Sequence, residues 1–130
     1  MSDERIEIPD SPPAIRVLMM PRETNAHGTI FGGIILSYID QAGAVGAVQA
    51  GCRKVVTVAM DKVEFHEPVF VGDLVSLYAE VERKGRTSIT MRVTVCAQRA
   101  KDPNDLVIVT EATVTYVNTS DDGRPMPIEG

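Results

Sequence analysis

The 130-residue chain has no tryptophan, and its three phenylalanines and three tyrosines bring the aromatic share to only 5%. A core must therefore come from aliphatic side chains, which a hydrophobic content of 44% supplies. There are two cysteines, Cys52 and Cys96, in no CxxC or CxxH spacing, and two histidines, so neither a disulfide framework nor a structural zinc site is expected. Positive charge is also short. Thirteen Lys and Arg against eighteen Asp and Glu leave a net charge of −5, which argues against general attraction to nucleic acid or anionic lipid. The longest apolar stretch is broken by Ser37, Tyr38, Asp40 and Gln41, so no transmembrane helix is expected. No targeting segment is read at Met1-Ser2-Asp3-Glu4, and the cytoplasm is the expected compartment. No internal repeat is visible, and the length suits one domain that can bury its own core.

What is present divides cleanly. Residues 1–13, polar with three prolines, read as a flexible arm, 14–120 as a single domain and 121–130 as a C-terminal tail. Within the domain, 14–20 form a short apolar segment ended by Pro21, a first strand. Residues 32–50 carry apolar or small side chains around most of a helical circumference, with Gly43 and Gly46 letting another backbone come close and Gly51 as a C-terminal cap. Such a helix is expected to be buried on nearly all sides. Residues 55–66, 73–83, 88–98 and 106–118 then read as strands, the middle two with period-2 alternation and a hairpin at Lys84-Gly85-Arg86-Thr87. One long helix followed by four antiparallel strands is an α+β layout, a sheet curled around a central helix, and disfavours a doubly wound nucleotide fold.

Few residues can carry chemistry. Asp40 is the one formal charge between Glu23 and Arg53 and sits among apolar or small neighbours. It either lines a wet helical stripe with Ser37 and Gln41, or is a partly desolvated general base or nucleophile. Gly32 and Gly33 stand where helix-start N–H groups lack intrahelical partners, so they make either a tight turn or an oxyanion site open to a carbonyl oxygen. Asp40 lies two turns further on the same face, about 10 Å by helical rise, which makes a site shared between subunits plausible. Asn25 can orient a water or a carbonyl, or satisfy its loop; His27 and His66 are read as structural. Lys84, Gly85, Arg86, Thr87 and Ser88 combine cations, an exposed backbone and hydroxyls, and are either a phosphate site or a solvated hairpin tip. Neither Ser37 nor Cys52 lies in a nucleophile-elbow pattern.

The run Thr24-Asn25-Ala26-His27-Gly28-Thr29-Ile30-Phe31-Gly32-Gly33, continuing to Asp40 and Gly43, resembles the hotdog-fold acyl-CoA thioesterases, specifically the acyl-CoA hydrolase branch with small bacterial broad-specificity and brain-type cytosolic enzymes. The similarity extends through Val56-Thr57-Val58-Ala59, Phe65-His66-Glu67-Pro68-Val69, Val71-Gly72-Asp73 and Gly85-Arg86-Thr87-Ser88. The resemblance implies an antiparallel sheet wrapped around one long helix, two protomers sharing a continuous sheet, and active sites at their interface. Gly32 and Gly33 amides would polarise the thioester carbonyl, Asp40 of the facing protomer would act as base or nucleophile, and Asn25 would position water or substrate. Thr57 and Val58 would border the pantetheine, and Lys84 to Ser88 would face the nucleotide of coenzyme A. No metal or cofactor is expected, coenzyme A being part of the substrate, and the expected assembly is a homodimer or a trimer of dimers. The leading expectation is hydrolysis of acyl-CoA to free coenzyme A and a carboxylic acid. The alternatives are a non-catalytic acyl-CoA-binding sensor, disfavoured by the joint presence of Asn25 and Asp40, and a dehydratase or hydratase, for which a suitably paired histidine is missing.

Overall fold

The computed structural model describes residues 7–129, so the first six residues of the expected arm and the last of the tail lie outside it. Five strands form one antiparallel sheet: β1 (Ile15–Leu18), β2 (Val55–Phe65), β3 (Leu74–Lys84), β4 (Ser88–Gln98) and β5 (Leu106–Asn118), in the order β1-β3-β4-β5-β2. The one α-helix among the described residues, α1 (Gly32–Gln49), lies against this sheet. The first strand is shorter than expected. Beyond Leu18 the Met19 N–H bonds to Asp73 O and the chain turns through Pro21–Glu23, because β3 begins only at Leu74.

Alternation decides which side of the sheet receives the helix. Val75 and Leu77 of β3, Ile89, Met91, Val93 and Val95 of β4, and Val109, Val114 and Tyr116 of β5 are almost completely buried, as are Ile35, Ile39, Ala42 and Ala47 of α1. With the buried Gly43 and Gly46 between them, the helical set recurs at three- and four-residue spacing, so it forms one stripe. Two glycines let this stripe sit close to the sheet. A side chain at Gly43 would overlap the Tyr116 hydroxyl, and one at Gly46 would fall 2.7 Å from the Met91 terminal methyl and 2.8 Å from Ala79 Cβ.

The expectation of a helix buried all round holds for only part of the circumference. Gly33, Ser37, Gln41 and Val48 remain exposed, because the sheet covers one face and no described residue covers the opposite one. The β2 edge is open as well: among the described residues it pairs with β5 alone, and Val56 and Val58 are 48% and 57% exposed along it. An apolar, unpaired edge is a template for another strand. At the far end of the molecule residues 119–129 fold back instead of trailing away. Met126 N–H bonds to Asn118 O, Ile128 N–H bonds to Arg86 O, and Ile128 packs on the core.

Candidate active site

The loop before α1 is organised by Asn25. Its carboxamide oxygen accepts the N–H groups of His27 (2.8 Å) and Thr29 (3.2 Å), its Nδ2 donates to Thr29 Oγ1 (2.8 Å), and its own N–H reaches Thr29 O (2.7 Å). Gly28, at φ +83°, completes a turn that disfavours side chains. Asn25 thus shapes the segment delivering the chain to the helix, and one of its two amide hydrogens has no described partner. His27 is exposed and contributes only its backbone. Glu23 ties this loop to α1: its side chain accepts from Tyr38 Oη (3.4 Å), and its carbonyl accepts the Phe31 N–H. Burial and the neighbouring Glu23 carboxylate both push the Tyr38 phenol above its ordinary range.

At the helix start, Ile34 and Ile35 return their N–H groups to Phe31 O, whereas the N–H groups of Gly32 and Gly33 have no partner among the described residues. These two donors lie at the positive end of the helix dipole. Beside them Gly32 and Ile35, with Thr29, Phe65, Pro68 and Val69, line an open cleft of about 330 Å³. A side chain at Gly33 would meet nothing within 4 Å among the described residues, so their packing does not require a glycine there. Its lack of a side chain keeps the amides reachable from outside.

Asp40 is half-buried in mid-helix, next to β2. Thr57 Oγ1 donates to Asp40 Oδ1 at 2.7 Å, and Tyr116 Oη donates to the Asp40 backbone carbonyl at 2.6 Å. The first bond orients the carboxylate, and among the described residues Oδ2 accepts no hydrogen bond; the second fixes the turn of helix that carries it. Burial, followed by the Asp40 charge, holds the Tyr116 hydroxyl far above the usual tyrosine range, so it remains a donor. Neither role is legible in the sequence: Thr57 is expected there only along the substrate and Tyr116 carries no signal, because contacts across 17 and 76 positions depend on how β2 and β5 cross the helix. Val58, at the register shift between Thr57 and Ala59, projects from the open edge.

The hairpin candidates occupy the opposite end of the helix from Gly32 and Gly33. Gly85 N–H closes the turn onto Ser88 O, Thr87 O accepts the Asn118 N–H, and Arg86 is exposed at the tip. Lys84 points back: its Nζ donates to Ala50 O (3.0 Å) and Glu129 O (3.5 Å), so it caps the C-terminal end of α1. Ser88 pairs with Val117 of β5, and Tyr116 beside it pairs with Thr57, so hairpin, Thr57 and Asp40 share one region of the sheet. The remaining histidine, His66, lies 3.3 Å from Glu111 on a strand end, and among the described residues no group of His, Cys, Asp or Glu could hold a metal ion.

One protomer therefore holds two separate sets of polar groups: helix-start donors with a cleft at one place, and a braced carboxylate about two helical turns away, beside the β2 edge. The model of the thioesterase superfamily matches residues 27–104 of the chain. The chain is 37% identical over 126 residues to the acyl-CoA thioester hydrolase YciA of Escherichia coli, spanning 94% of this chain and 96% of that protein. It superimposes on a hexameric hotdog fold thioesterase of Campylobacter jejuni with a TM-score of 0.87 and 46% identity, covering 92% of this chain and 91% of the other. An acyl-CoA hydrolase of Staphylococcus aureus, solved with butyryl coenzyme A and coenzyme A, gives a TM-score of 0.81 at 28% identity over 89% of this chain and 70% of its own. That hydrolase has also been solved as an aspartate-to-alanine variant.

Proposed function

The chain belongs to the thioesterase superfamily, and on that premise we propose that it hydrolyses acyl-CoA thioesters to coenzyme A and a carboxylic acid at a site shared by two protomers. The observation that carries this reading is the Asp40 carboxylate, braced by Thr57 on one oxygen and open on the other, beside a strand edge with no partner. Pairing two β2 edges continues the sheet and brings Asp40 of one protomer toward the cleft and helix-start amides of its partner. The Campylobacter relative is hexameric, and three such pairs account for an assembly of that size.

The chemistry follows from these groups. The N–H groups of Gly32 and Gly33 hold the thioester oxygen as it gains negative charge, in a position where a side chain would block approach. Asp40 Oδ2 takes a proton from water as the water oxygen attacks the carbonyl carbon, and collapse of the tetrahedral intermediate expels the coenzyme A thiolate. A thiolate leaves without prior protonation, so one carboxylate and two amides suffice. Asn25 serves by holding the loop that sets the direction of the helix start, with one amide hydrogen left for substrate or water. Thr57 and Val58 border the pantetheine arm, and the hairpin from Lys84 to Ser88 receives the nucleotide end, where Arg86 supplies local positive charge in a chain of net −5.

Replacing Asp40 by Asn keeps an acceptor for Thr57 and removes the base. Turnover measured by thiol release should fall about 10³-fold with the fold and assembly unchanged; a wild-type rate would remove Asp40 from the mechanism. Single-turnover hydrolysis in ¹⁸O-water distinguishes the base role from direct attack. In the first, the label enters only the product acid; in the second, a mixed anhydride opened by water at the Asp40 carboxyl carbon puts the label in the Asp40 carboxylate and releases an unlabelled acid in the first turnover.

A further inference from the structure

Asn118 ends β5 at the corner where hairpin, tail and post-helix loop meet, and it is 1% exposed. All its hydrogen-bonding groups are engaged. Its Oδ1 accepts the N–H groups of Arg53 (2.7 Å) and Lys54 (3.4 Å), and its Nδ2 donates to Met126 O (3.2 Å) and Pro127 O (3.1 Å). Its backbone N–H reaches Thr87 O at 2.8 Å, and its carbonyl accepts the Met126 N–H at 2.9 Å. Only a carboxamide of this length offers two acceptors and two donors to these four groups; aspartate has no donor, and threonine has a single hydroxyl.

These partners matter for what they carry. Arg53 and Lys54 follow the helix, and the tail segment fixed through Met126 and Pro127 presents the Ile128 N–H to Arg86 O. Lys84 reaches Glu129 O of the same tail. Four of the thirteen basic residues of an acidic chain are thus set in place around one buried side chain. We infer that Asn118 is a positioning residue for the nucleotide end of the substrate: it fixes the tail on the hairpin and the loop beside it, and so sets where Arg86 and Lys54 meet phosphates. This rests on the hydrolase reading above and adds the residue that shapes its distal subsite.

The test compares two substrates with the same acyl group, butyryl-CoA and the butyryl thioester of N-acetylcysteamine, which lacks the nucleotide. In Asn118→Ala the KM for butyryl-CoA should rise about tenfold while kcat and the constants for the truncated thioester stay at wild-type values, with unchanged circular dichroism and assembly size. A folded variant in which KM for butyryl-CoA is unchanged, or rises equally for both substrates, overturns the inference. Should Asn118→Ala fail to fold, deletion of residues 128–130 removes the Ile128 bond to Arg86 and leaves Asn118 in place; the same change in KM ratio supports the inference, and its absence overturns it. Arg86→Gln is the reference. If it leaves the KM ratio unchanged, the hairpin itself is not the nucleotide site. If it shifts the ratio and the Asn118 and tail variants do not, only the role of Asn118 fails.

Discussion

Replacing Gly43 by Ala should destabilise the protein, although alanine is the better helix former, and removing the Tyr116 hydroxyl should recover much of the loss. An interior helical Gly→Ala change ordinarily gains about 1 kcal/mol. Here the new methyl group would overlap Tyr116 Oη and lie 3.0 Å from two carbons of the same ring. Overpacking of this kind costs about 1–3 kcal/mol. The ring, completely buried, can yield only by giving up its 2.6 Å bond to the Asp40 carbonyl, a further loss of about 1–2 kcal/mol. The net expectation for Gly43→Ala is a destabilisation of about 2–3 kcal/mol. Tyr116→Phe alone forfeits the hydroxyl bond, about 1.5 kcal/mol. In the double variant the worst overlap disappears, the helix keeps its propensity gain and the hydroxyl bond is lost only once. It should therefore be more stable than Gly43→Ala alone, and the two changes should miss additivity by about 2 kcal/mol. Urea unfolding of all four proteins at one protomer concentration measures this, since assembly contributes to apparent stability. Additivity within about 0.5 kcal/mol would mean that the Gly43 contact with Tyr116 does not set the helix-to-sheet distance, and the account of how Asp40 is held would go with it.

Two other outcomes follow from the structure. Burial pushes the Cys96 thiol from an ordinary 9.0 up to about 11. The folded state therefore favours the protonated form, and that contribution, whole below pH 9, is lost as the pH rises through 11, to a total of about 3 kcal/mol. Cys52, Tyr38 and Tyr116 are shifted in the same direction. The urea midpoint should fall across this window and fall less in Cys96→Ala; equal slopes in both proteins would clear Cys96 of the effect. On the open β2 edge, Val58→Asp places a charge where a second strand would pair. Light scattering should then report a monomer with no thiol release, and an intact, active oligomer would place the subunit contact elsewhere.

Much of the fold was legible because its signals are local. The helix begins at the glycine pair and ends before Gly51, and the alternation of Val75 to Val81 and Ile89 to Ala97 set the limits of β3 and β4 to within a residue. The circumference of α1 misled for a physical reason: composition reports that a face is apolar or small, while the sheet decides which face is covered, and Gly33, Ser37 and Val48 are left for contacts beyond this chain. The site was legible by residue type and less so by contact. Asp40 stood out as a lone charge, but its brace by Thr57 and Tyr116 exists only once β2 and β5 lie across the helix. Lys84 reads in sequence like Arg86, a cation beside a glycine. Three-dimensional placement separates them, turning Lys84 onto the helix terminus and leaving Arg86 outside. Asn118 carried no sequence signal, because its partners come from three separate stretches of chain.

The folded-back C-terminal segment has a practical consequence for anyone producing the protein. Glu129 O lies so close to Gly51 that no side chain fits between them, and the same residue neighbours Lys84. Affinity handles and fluorescent fusions added after residue 130 would leave from this crowded corner, next to the basic hairpin, and would strain it or shield it.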